Sequence, residues 1–507
     1  MKLRSIAVSV ASVALLVAGC TQPSTSPSSS FTPDGTLDVF YNQTLKWDDC
    51  KDFFECAKLS VPMDYQDLNG PTIEIALMRH VVKNASKRVG ALVINPGGPG
   101  GSGVDYVESY DSQFTDQIIE TFDIVGFDPR GVNKSTPVVC LTDQELDVYL
   151  ATDPTPDNAA EVAEFNADGA AADAKCAERT GDLLAHVSTV ETVKDLDILR
   201  AALGESTLNF LGKSYGTQIG ALYASMFSDK VGRFVLDGAV EMQLTSAELS
   251  LGQAKGFEVA INRFAIYCVE SAVVCPLGTN PTKIVAKMKS FIDSLDQKPM
   301  KIKGSDRVLT ESLGWSSIIG PMYLPDGGWD WLIEGLQAAY KGNGATLLEI
   351  ADWITGRDYD GTYMDNSTAA FTAISCLDYG KVGSTPEQLE SDFVAAAPFF
   401  GRVLAWGEGG CANWPVTGEL MPRDVAAPNA PAIIVIGTTN DPATPNDWAI
   451  ALAKQLEVGV YLNFNGDGHT AYLSGSECID KIVDDFWLVG TVPVNGKICQ
   501  PDYPFVE

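Results

Sequence analysis

The sequence predicts an α/β fold with a mostly parallel central sheet. Uninterrupted apolar segments at residues 90–94, 122–127 and 432–437 have the pattern of strands buried on both faces. Segments with helical spacing, such as residues 192–203, separate strands of this kind. Because the crossover helices of a parallel sheet cover both of its faces, this alternation indicates a parallel sheet between two helical layers.

The other predicted strands fit the same alternation of strands and helices along the chain. Residues 37–79 are expected to form an N-terminal strand region, in which residues 72–77 alternate polar and apolar side chains like an antiparallel strand. Residues 208–211, 233–237 and 458–464 are further apolar segments that we interpret as strands of the same sheet.

Residues 239–429 lack this alternation of strands and helices. They contain helical stretches and several tryptophans, and they interrupt the succession of strands. We therefore expect an inserted, mainly helical cap domain above the carboxyl edge of the sheet, where open α/β sheets bind their substrates. Residues 37–238 and 430–507 would then be the two parts of the core domain.

The first residues have the pattern of a bacterial export signal. Two basic residues precede an apolar stretch at residues 6–17, which is shorter than a membrane span. Small residues then precede Cys20 and resemble a lipobox. The pattern predicts a lipoprotein signal peptide at residues 1–19, a lipidated Cys20 that anchors the exported protein to the cell membrane, and a flexible Ser/Thr/Pro-rich tether at residues 20–36. An ordinary signal peptide with a chance cysteine, or a partly released protein, is the alternative.

The charge of the chain limits its partners. The formal net charge is −31, from 35 basic and 66 acidic residues. Binding to nucleic acid or directly to anionic lipid headgroups requires clustered lysine and arginine, so this composition argues against both. A substrate with a free ammonium group is compatible with it.

The cysteines favour an oxidising compartment. Eleven cysteines less Cys20 leave ten, which fall into neighbouring pairs along the chain. Free buried thiols are the alternative. A zinc site is disfavoured, because the chain has only three histidines and no Cys-x-x-Cys unit. The predicted disulfides are Cys50–Cys56, Cys140–Cys176, Cys268–Cys275, Cys376–Cys411 and Cys478–Cys499.

The motif around Ser214 has the pattern of a nucleophile elbow. Gly212 and Gly216 flank the serine, an apolar strand precedes it and a helical stretch of small residues follows. Small neighbours allow a tight turn that lifts the serine Oγ above the sheet. The Tyr215 N–H and the start of the following helix can then stabilise an oxyanion. The motif alone is weak, and its value depends on an acid and a histidine elsewhere.

The expected acid is Asp441. A serine hydrolase with this architecture presents its serine, acid and histidine in that order along the chain. Asp441 comes directly after the strand at residues 432–437, at the carboxyl end where a triad acid belongs. Asp424 precedes that strand and Asp447 falls into the next helix, so both are weaker candidates.

The expected base is His469. The chain has three histidines, and only His469 follows Asp441. It stands in a glycine-containing loop after the last predicted strand, which would let the imidazole approach Ser214. His80 and His186 precede Ser214 and are interpreted as structural residues.

A glycine-rich loop at residues 95–101 follows the strand at residues 90–94. Consecutive glycines let backbone N–H groups face a reaction centre, and we expect Gly98 or a neighbour to complete the oxyanion hole with Tyr215. A phosphate-binding loop is the rival interpretation, but the lysine and Ser/Thr of a P-loop are missing and the glycine spacing is not that of a dinucleotide site. No cofactor or metal is expected.

These motifs resemble those of exported actinobacterial tripeptidyl aminopeptidases, which are α/β-hydrolases related to proline iminopeptidases, and the lipobox suggests the lipid-anchored mycobacterial or corynebacterial type. The resemblance implies Ser214 as nucleophile, Asp441 as acid and His469 as base. It also implies an acidic residue that binds the substrate ammonium group, for which Asp378 and Glu241 are the candidates. Asn133 departs from the glycine often found there. The motifs that carry the resemblance are residues 95–100, 122–132, 195–200, 212–217, 236–238, 411–415, 441–445 and 468–469.

The function expected from the sequence is that of an exported serine hydrolase that releases short peptides, such as tripeptides, from free N-termini through an acyl-enzyme. Its partners would be peptides or proteins. One alternative is an esterase acting on cell-envelope lipids or acylated sugars, because the same triad cleaves esters. A second alternative is a lipoprotein that binds such molecules without catalysis. Residue preference, peptide length and oligomeric state are left open.

Overall fold

The computed structural model describes residues 35–271, 274–381 and 383–505. The predicted signal peptide at residues 1–19 and the lipidation site Cys20 lie outside the described residues, as does all but the end of the tether predicted at residues 20–36. In the part of the chain that is described, none of the helices combines the length and the apolar character needed to cross a membrane.

A ten-stranded sheet forms the centre of the molecule, and a two-stranded ribbon, β8 and β9, lies apart from it. The strands are β1 (Asp48–Lys51), β2 (Phe54–Pro62), β3 (Thr72–His80), β4 (Gly90–Asn95), β5 (Phe122–Phe127), β6 (Leu208–Lys213), β7 (Val231–Asp237), β8 (Met300–Lys301), β9 (Val308–Leu309), β10 (Ile433–Asn440), β11 (Gly459–Asp467) and β12 (Lys497–Cys499).

The helices lie between and around these strands. They are α1 (Asp38–Tyr41), α2 (Gly103–Glu108), α3 (Tyr110–Gln113), α4 (Asp116–Ile119), α5 (Asp143–Tyr149), α6 (Ala159–Thr180), α7 (Thr189–Ala202), α8 (Gly216–Met226), α9 (Ser246–Ser271), α10 (Pro281–Gln297), α11 (Glu311–Tyr323), α12 (Pro325–Ala339), α13 (Ala345–Thr355), α14 (Ser367–Tyr379), α15 (Pro386–Ala396), α16 (Gly401–Gly407), α17 (Asn446–Gln455) and α18 (Glu477–Val489).

The sheet is mostly parallel, as predicted. Its order is β1-β2-β3-β5-β4-β6-β7-β10-β11-β12. The last seven strands in this order, β5, β4, β6, β7, β10, β11 and β12, run parallel to one another. Strands β1 to β3 extend it in antiparallel fashion. All seven predicted strands are present, whereas the sequence analysis did not separate β1 and β2 or detect β12.

Register brings the carboxyl ends of the central strands together. Asn95 at the end of β4 pairs with Gly212 of β6, and Lys213 pairs with Asp237 at the end of β7. Asp237 in turn pairs with Ile436 of β10. The loops that follow these strands therefore emerge side by side at one edge of the sheet.

Two hydrophobic layers cover the sheet, because neighbouring strand residues point to opposite faces. Val93, Phe210 and Val435 belong to the layer under α7, α8 and α17. Residues adjacent to them in sequence, such as Leu92 and Leu211, belong to the layer under α2 and α18. The strands are buried on both faces, which explains their uninterrupted apolar sequences.

The stretch at residues 239–429 contains helices α9 to α16 and the ribbon β8–β9. Helices α9 to α13 and α16 share a hydrophobic core of their own, which includes Trp315 and Trp329. Helix α14 differs from them, because Ala370, Ala373 and Ile374 belong to the core of the main sheet. That residues 239–429 form a separate cap domain stays a prediction. Within this stretch, α14 packs on the core of the main sheet and the other helices named above share the second core.

Five disulfides pair the cysteines in the order predicted from the sequence. Two of them close loops of six and seven residues, and the other three join separate elements. One connects the segment before α5 to α6, one connects α14 to the segment after α16, and one connects α18 to β12. They are Cys50–Cys56, Cys140–Cys176, Cys268–Cys275, Cys376–Cys411 and Cys478–Cys499.

Candidate active site

Ser214 stands in a sharp turn between β6 and α8. Its φ is +55°, a left-handed conformation that residues other than glycine seldom adopt. The turn is tight because a Cβ atom on Gly212 would lie only 2.2 Å from the carbonyl oxygen of Gly216. The Ser214 N–H donates to the carbonyl of Asp237 at 2.8 Å, which ties the turn to the end of β7. The local geometry is therefore that of a nucleophile elbow.

The glycine-rich loop after β4 lies against this elbow. A Cβ atom on Gly97 would lie 2.6 Å from the Lys213 carbonyl oxygen and 2.9 Å from Ser214 Cβ. Gly97 and Gly98 have φ values of +102° and +110°. The Gly97 N–H donates to Asn95 Oδ1 at 3.0 Å, whereas no described residue accepts a hydrogen bond from the N–H of Gly98 or of Tyr215. These two groups remain available for an oxyanion.

Asp441 lies in the turn between β10 and α17, with its carboxylate fully buried. The backbone N–H groups of Ala443 and Thr444 donate to its Oδ1, each at 2.9 Å, and the Thr444 hydroxyl donates to its Oδ2 at 2.9 Å. The carboxylate accepts all of these bonds at once, so its orientation is fixed by the turn that carries it.

His469 contacts this carboxylate directly. Its Nδ1 lies 2.8 Å from Asp441 Oδ1 and 3.0 Å from Oδ2. Beside a carboxylate, Nδ1 is the nitrogen that carries the proton, and Nε2 is then free to accept one. Nε2 is buried and has no hydrogen-bond partner among the described residues. This orientation is the one that the predicted role of general base requires.

Gly238 lies between the elbow and the histidine. Its backbone directly follows Asp237, whose carbonyl holds Ser214, and a Cβ atom on Gly238 would lie 3.2 Å from His469 Cε1. The structure therefore brings together Ser214, Asp441 and His469 around the end of β7. No hydrogen bond links Ser214 Oγ to His469 Nε2 within the described residues, and in many hydrolases this bond tightens only when substrate binds.

Two residues that the sequence analysis missed hold the histidine loop. The buried Asp237 carboxylate accepts hydrogen bonds from the N–H groups of Ala471 and Tyr472 at 2.9 to 3.0 Å. From α11, the carbonyl of Tyr323 accepts the His469 N–H at 3.0 Å, and its ring meets the imidazole edge-on at 5.4 Å. A carboxylate at the end of a strand was visible in the sequence, but nothing marked Tyr323.

The rival candidates from the sequence lie elsewhere. His80 stacks on Tyr110 at a centroid distance of 4.1 Å, and burial lowers its pKa. His186 Nδ1 lies 3.0 Å from the Glu191 carboxylate. Asp447 lies within α17, and Asp424 accepts a weak bond from its own loop.

Asp378 is buried on α14 and is linked to the elbow through Thr189 and Tyr215. Its carboxylate accepts hydrogen bonds from the backbone N–H and the hydroxyl of Thr189, the first residue of α7. The Thr189 hydroxyl also bonds to Tyr215 OH. Burial raises the pKa of Asp378 to about 7. A substrate ammonium group would have to displace Thr189, so these contacts favour a structural role.

Glu241 is half-buried in the segment after β7. The adjacent Val240 N–H donates to Thr217 Oγ1 at 3.0 Å, and that hydroxyl donates to the Ser214 carbonyl at 2.6 Å. No described residue forms a hydrogen bond or ion pair with the Glu241 carboxylate. Burial, and secondarily the charge of Glu248, raise its pKa. A carboxylate without a partner among the described residues therefore follows a residue that is hydrogen-bonded to the helix of the elbow.

Comparison with known proteins agrees with this geometry. A family model described as "alpha/beta hydrolase fold" matches residues 90–277, and one described as "TAP-like protein" matches residues 397–499. Serine protease Hip1 of Mycobacterium tuberculosis is 38% identical over 459 residues, which cover 88% of this chain and 87% of that protein. The chain belongs to the TAP-like family of α/β-hydrolases. It is a serine hydrolase with the predicted α/β-hydrolase fold.

Other members of the family carry different names. Carboxylesterase B of Mycobacterium tuberculosis is 36% identical over 474 residues, covering 90% of each chain. Tripeptidyl aminopeptidase of Streptomyces coelicolor is 28% identical over 489 residues, covering 90% of this chain and 86% of that protein. Peptidases and an esterase thus stand among the relatives of this TAP-like hydrolase.

Proposed function

We propose that this TAP-like hydrolase is an aminopeptidase that releases short peptides, such as tripeptides, from free N-termini, with Ser214, His469 and Asp441 as its catalytic triad. The observation that carries the proposal is the ordered pair of Asp441 and His469 beside a strained serine elbow. The serine protease and the tripeptidyl aminopeptidase among the relatives support peptides as the substrate class.

The proposed reaction has two acyl-transfer steps. His469 Nε2 takes the Ser214 hydroxyl proton while Oγ attacks the scissile carbonyl. The N–H groups of Gly98 and Tyr215 stabilise the oxyanion of the tetrahedral intermediate. The imidazolium, oriented by Asp441, then protonates the leaving amine, and water hydrolyses the acyl-enzyme in the second step.

Glu241 is the proposed receptor for the substrate N-terminus. A carboxylate that is half-buried and unpartnered gains from an incoming ammonium group, because the charge-assisted bond replaces hydration that partial burial has removed. Asp378 is the weaker candidate, since Thr189 already occupies its oxygens. A receptor for the N-terminus would make the enzyme reject peptides with a blocked amine.

Paired substrates test this proposal. A tripeptide anilide with a free amine should be hydrolysed, and its N-acetylated counterpart should be a poor substrate. Glu241→Gln should lower kcat/KM for the free tripeptide about 10- to 100-fold, as expected for loss of a charge-assisted bond, and should leave the acetylated substrate unaffected. Glu270→Gln, which changes an exposed carboxylate at the other end of α9, is the matched control. Equal rates on both substrates would contradict the proposal.

An esterase is the second candidate function. The observation that favours it is the relationship to a protein named carboxylesterase B. The same triad hydrolyses esters, and an esterase has no need to recognise a free amine. Efficient hydrolysis of a long-chain lipid or acyl-sugar ester, together with no activity on the free tripeptide, would establish this alternative.

We also propose that the enzyme is exported and anchored to the outer face of the cell membrane through lipidated Cys20. The lipobox-like sequence before Cys20 supports it, and so do the five disulfides, which persist in oxidising compartments. With Cys20→Ala, the protein should move from the membrane fraction to the medium. Retention of that variant in the membrane would contradict lipid anchoring.

A further inference from the structure

A cavity of about 270 Å³ lies behind α14, on the side away from the elbow. Thr368, Ala369 and Thr372 of α14 line it. The opposite side of the same helix is used differently, because the segment around Ala370 contacts Gly100 of the glycine-rich loop. The cavity is therefore separate from the reaction centre, although one helix borders both.

Asp173 of α6 also lines this cavity. The residue is 6% exposed, and no described residue donates a hydrogen bond to its carboxylate or pairs with it. Most buried carboxylates are paired or hydrogen-bonded, because burying an isolated charge is costly. Asp173 also lines a second cavity of about 180 Å³. Burial raises its pKa to about 6.

The other lining residues indicate which class of ligand the cavity would bind. Two aromatic residues, Tyr149 and Tyr363, line the cavity together with aliphatic side chains and the disulfide Cys140–Cys176. Aromatic rings beside a carboxylate attract organic cations through their electron-rich faces. Tyr363 is held in place, because its hydroxyl donates to Asp147 at 2.9 Å.

The charges around the cavity favour a cation as well. Asp143 and Asp365 line the cavity. The charge of Asp168 contributes to the raised pKa of Tyr149, another lining residue. Among the described residues, Lys381 is the one cation whose charge lowers the pKa of Asp173, and this exposed residue forms no ion pair with it. Arg357 and Arg307 act on Tyr363, but Arg357 is paired with Asp147 and Arg307 with Asp352, so the carboxylates in the lining favour a cationic ligand over an anionic one.

We propose that this cavity is a second ligand site, which binds a small organic ammonium compound with its charged head on Asp173 and its apolar body against Tyr149, Tyr363 and the back of α14. An ammonium group supplies both the charge and the hydrogen-bond donors that the carboxylate lacks. The site is independent of the proposed peptidase activity, since it shares no residue with the triad, the oxyanion donors or Glu241.

Calorimetry with benzylammonium as the probe tests the proposal. The wild-type protein should bind it and show a rise in Tm that grows with probe concentration. Benzyl alcohol, which has the same shape without the charge, should give no rise. Binding should weaken below about pH 6, as Asp173 becomes protonated.

Two variants locate the probe. Asp173→Asn should weaken benzylammonium binding at least about tenfold while the protein remains folded, because the isostere removes an unpartnered charge. Ala369→Phe should abolish binding by filling the cavity with the carboxylate intact. Because Glu241 is itself proposed to bind ammonium groups, the comparison is repeated in Glu241→Gln protein whose nucleophile is blocked with a fluorophosphonate. Asp173→Asn should weaken binding by the same factor in that background, which separates this site from the active site. Absence of binding to wild-type protein, or undiminished binding to Asp173→Asn, would overturn the proposal.

Discussion

At Ser214 the backbone adopts a left-handed conformation that costs free energy in the folded state, of order 1–3 kcal/mol. The surrounding residues impose it. A side chain on Gly212 would meet the Gly216 carbonyl, a side chain on Gly216 would meet Asn95, and the Asp237 carbonyl accepts the Ser214 N–H. The sequence motif predicted this turn because the steric requirement is local. The position of Tyr323 against His469 could not be predicted, since it depends on how distant helices pack.

Gly212→Ala tests the steric requirement at the elbow. The added Cβ would lie 2.2 Å from a backbone oxygen, which cannot move away at low cost. We expect a loss of about 1–3 kcal/mol in the free energy of unfolding and a large loss of activity. Gly169→Ala is the control, because that position on α6 has open space around it and alanine is the better helix former. Denaturant unfolding of both variants checks the difference, and equal stabilities would contradict the account.

At the scale of elements, the site consists of loops that follow four neighbouring strands, β4, β6, β7 and β10, together with the loop after β11. Sequence analysis located these strands from their apolar patterns, and chain order then selected Asp441 and His469. It did not identify Asp237 as an anchor for the histidine loop, because that contact joins residues separated by more than 230 positions. The β8–β9 ribbon, with two residues in each strand, was too short to produce a pattern.

Asp237→Asn should uncouple the histidine loop from β7. The variant retains one acceptor oxygen, but its amide NH₂ faces the N–H groups of Ala471 and Tyr472. Because His469 precedes these residues by only two or three positions, we expect kcat to fall about 10- to 100-fold while KM changes little. Steady-state kinetics on the free tripeptide anilide, with Tm recorded alongside, measure this. A rise in KM alone, or a loss of activity explained by unfolding, would assign Asp237 another role.

At the scale of the whole molecule, several buried carboxylates carry raised pKa values in a chain with a net charge of −31. Glu311, at the start of α11, is 5% exposed, and burial raises its pKa to about 7. Asp153 and Asp296 add negative charge beside it. The sequence showed the acidity of the chain, but which carboxylates are buried depends on packing between helices far apart in sequence.

Glu311 makes stability depend on pH in a defined direction. Its folded-state pKa of about 7 exceeds its ordinary value of 4.5, so the folded state binds the proton more tightly and wild-type stability falls as pH rises between these values. Glu311→Gln keeps an acceptor for Thr155 and Trp315 and removes the charge. It should therefore be more stable than wild type at pH 8, by about 2 kcal/mol, with the difference vanishing near pH 4.5. Denaturant unfolding across this range would contradict the account if the difference were constant.

The identity of the nucleophile is the central claim, and covalent labelling tests it most directly. Wild-type protein treated with a fluorophosphonate should carry a single adduct, which mass spectrometry of the digested protein should map to Ser214. Ser214→Ala should remain unlabelled and inactive while keeping its Tm within a few degrees of wild type. An adduct on another residue, or hydrolysis by the Ser214→Ala variant at the wild-type rate, would contradict the account.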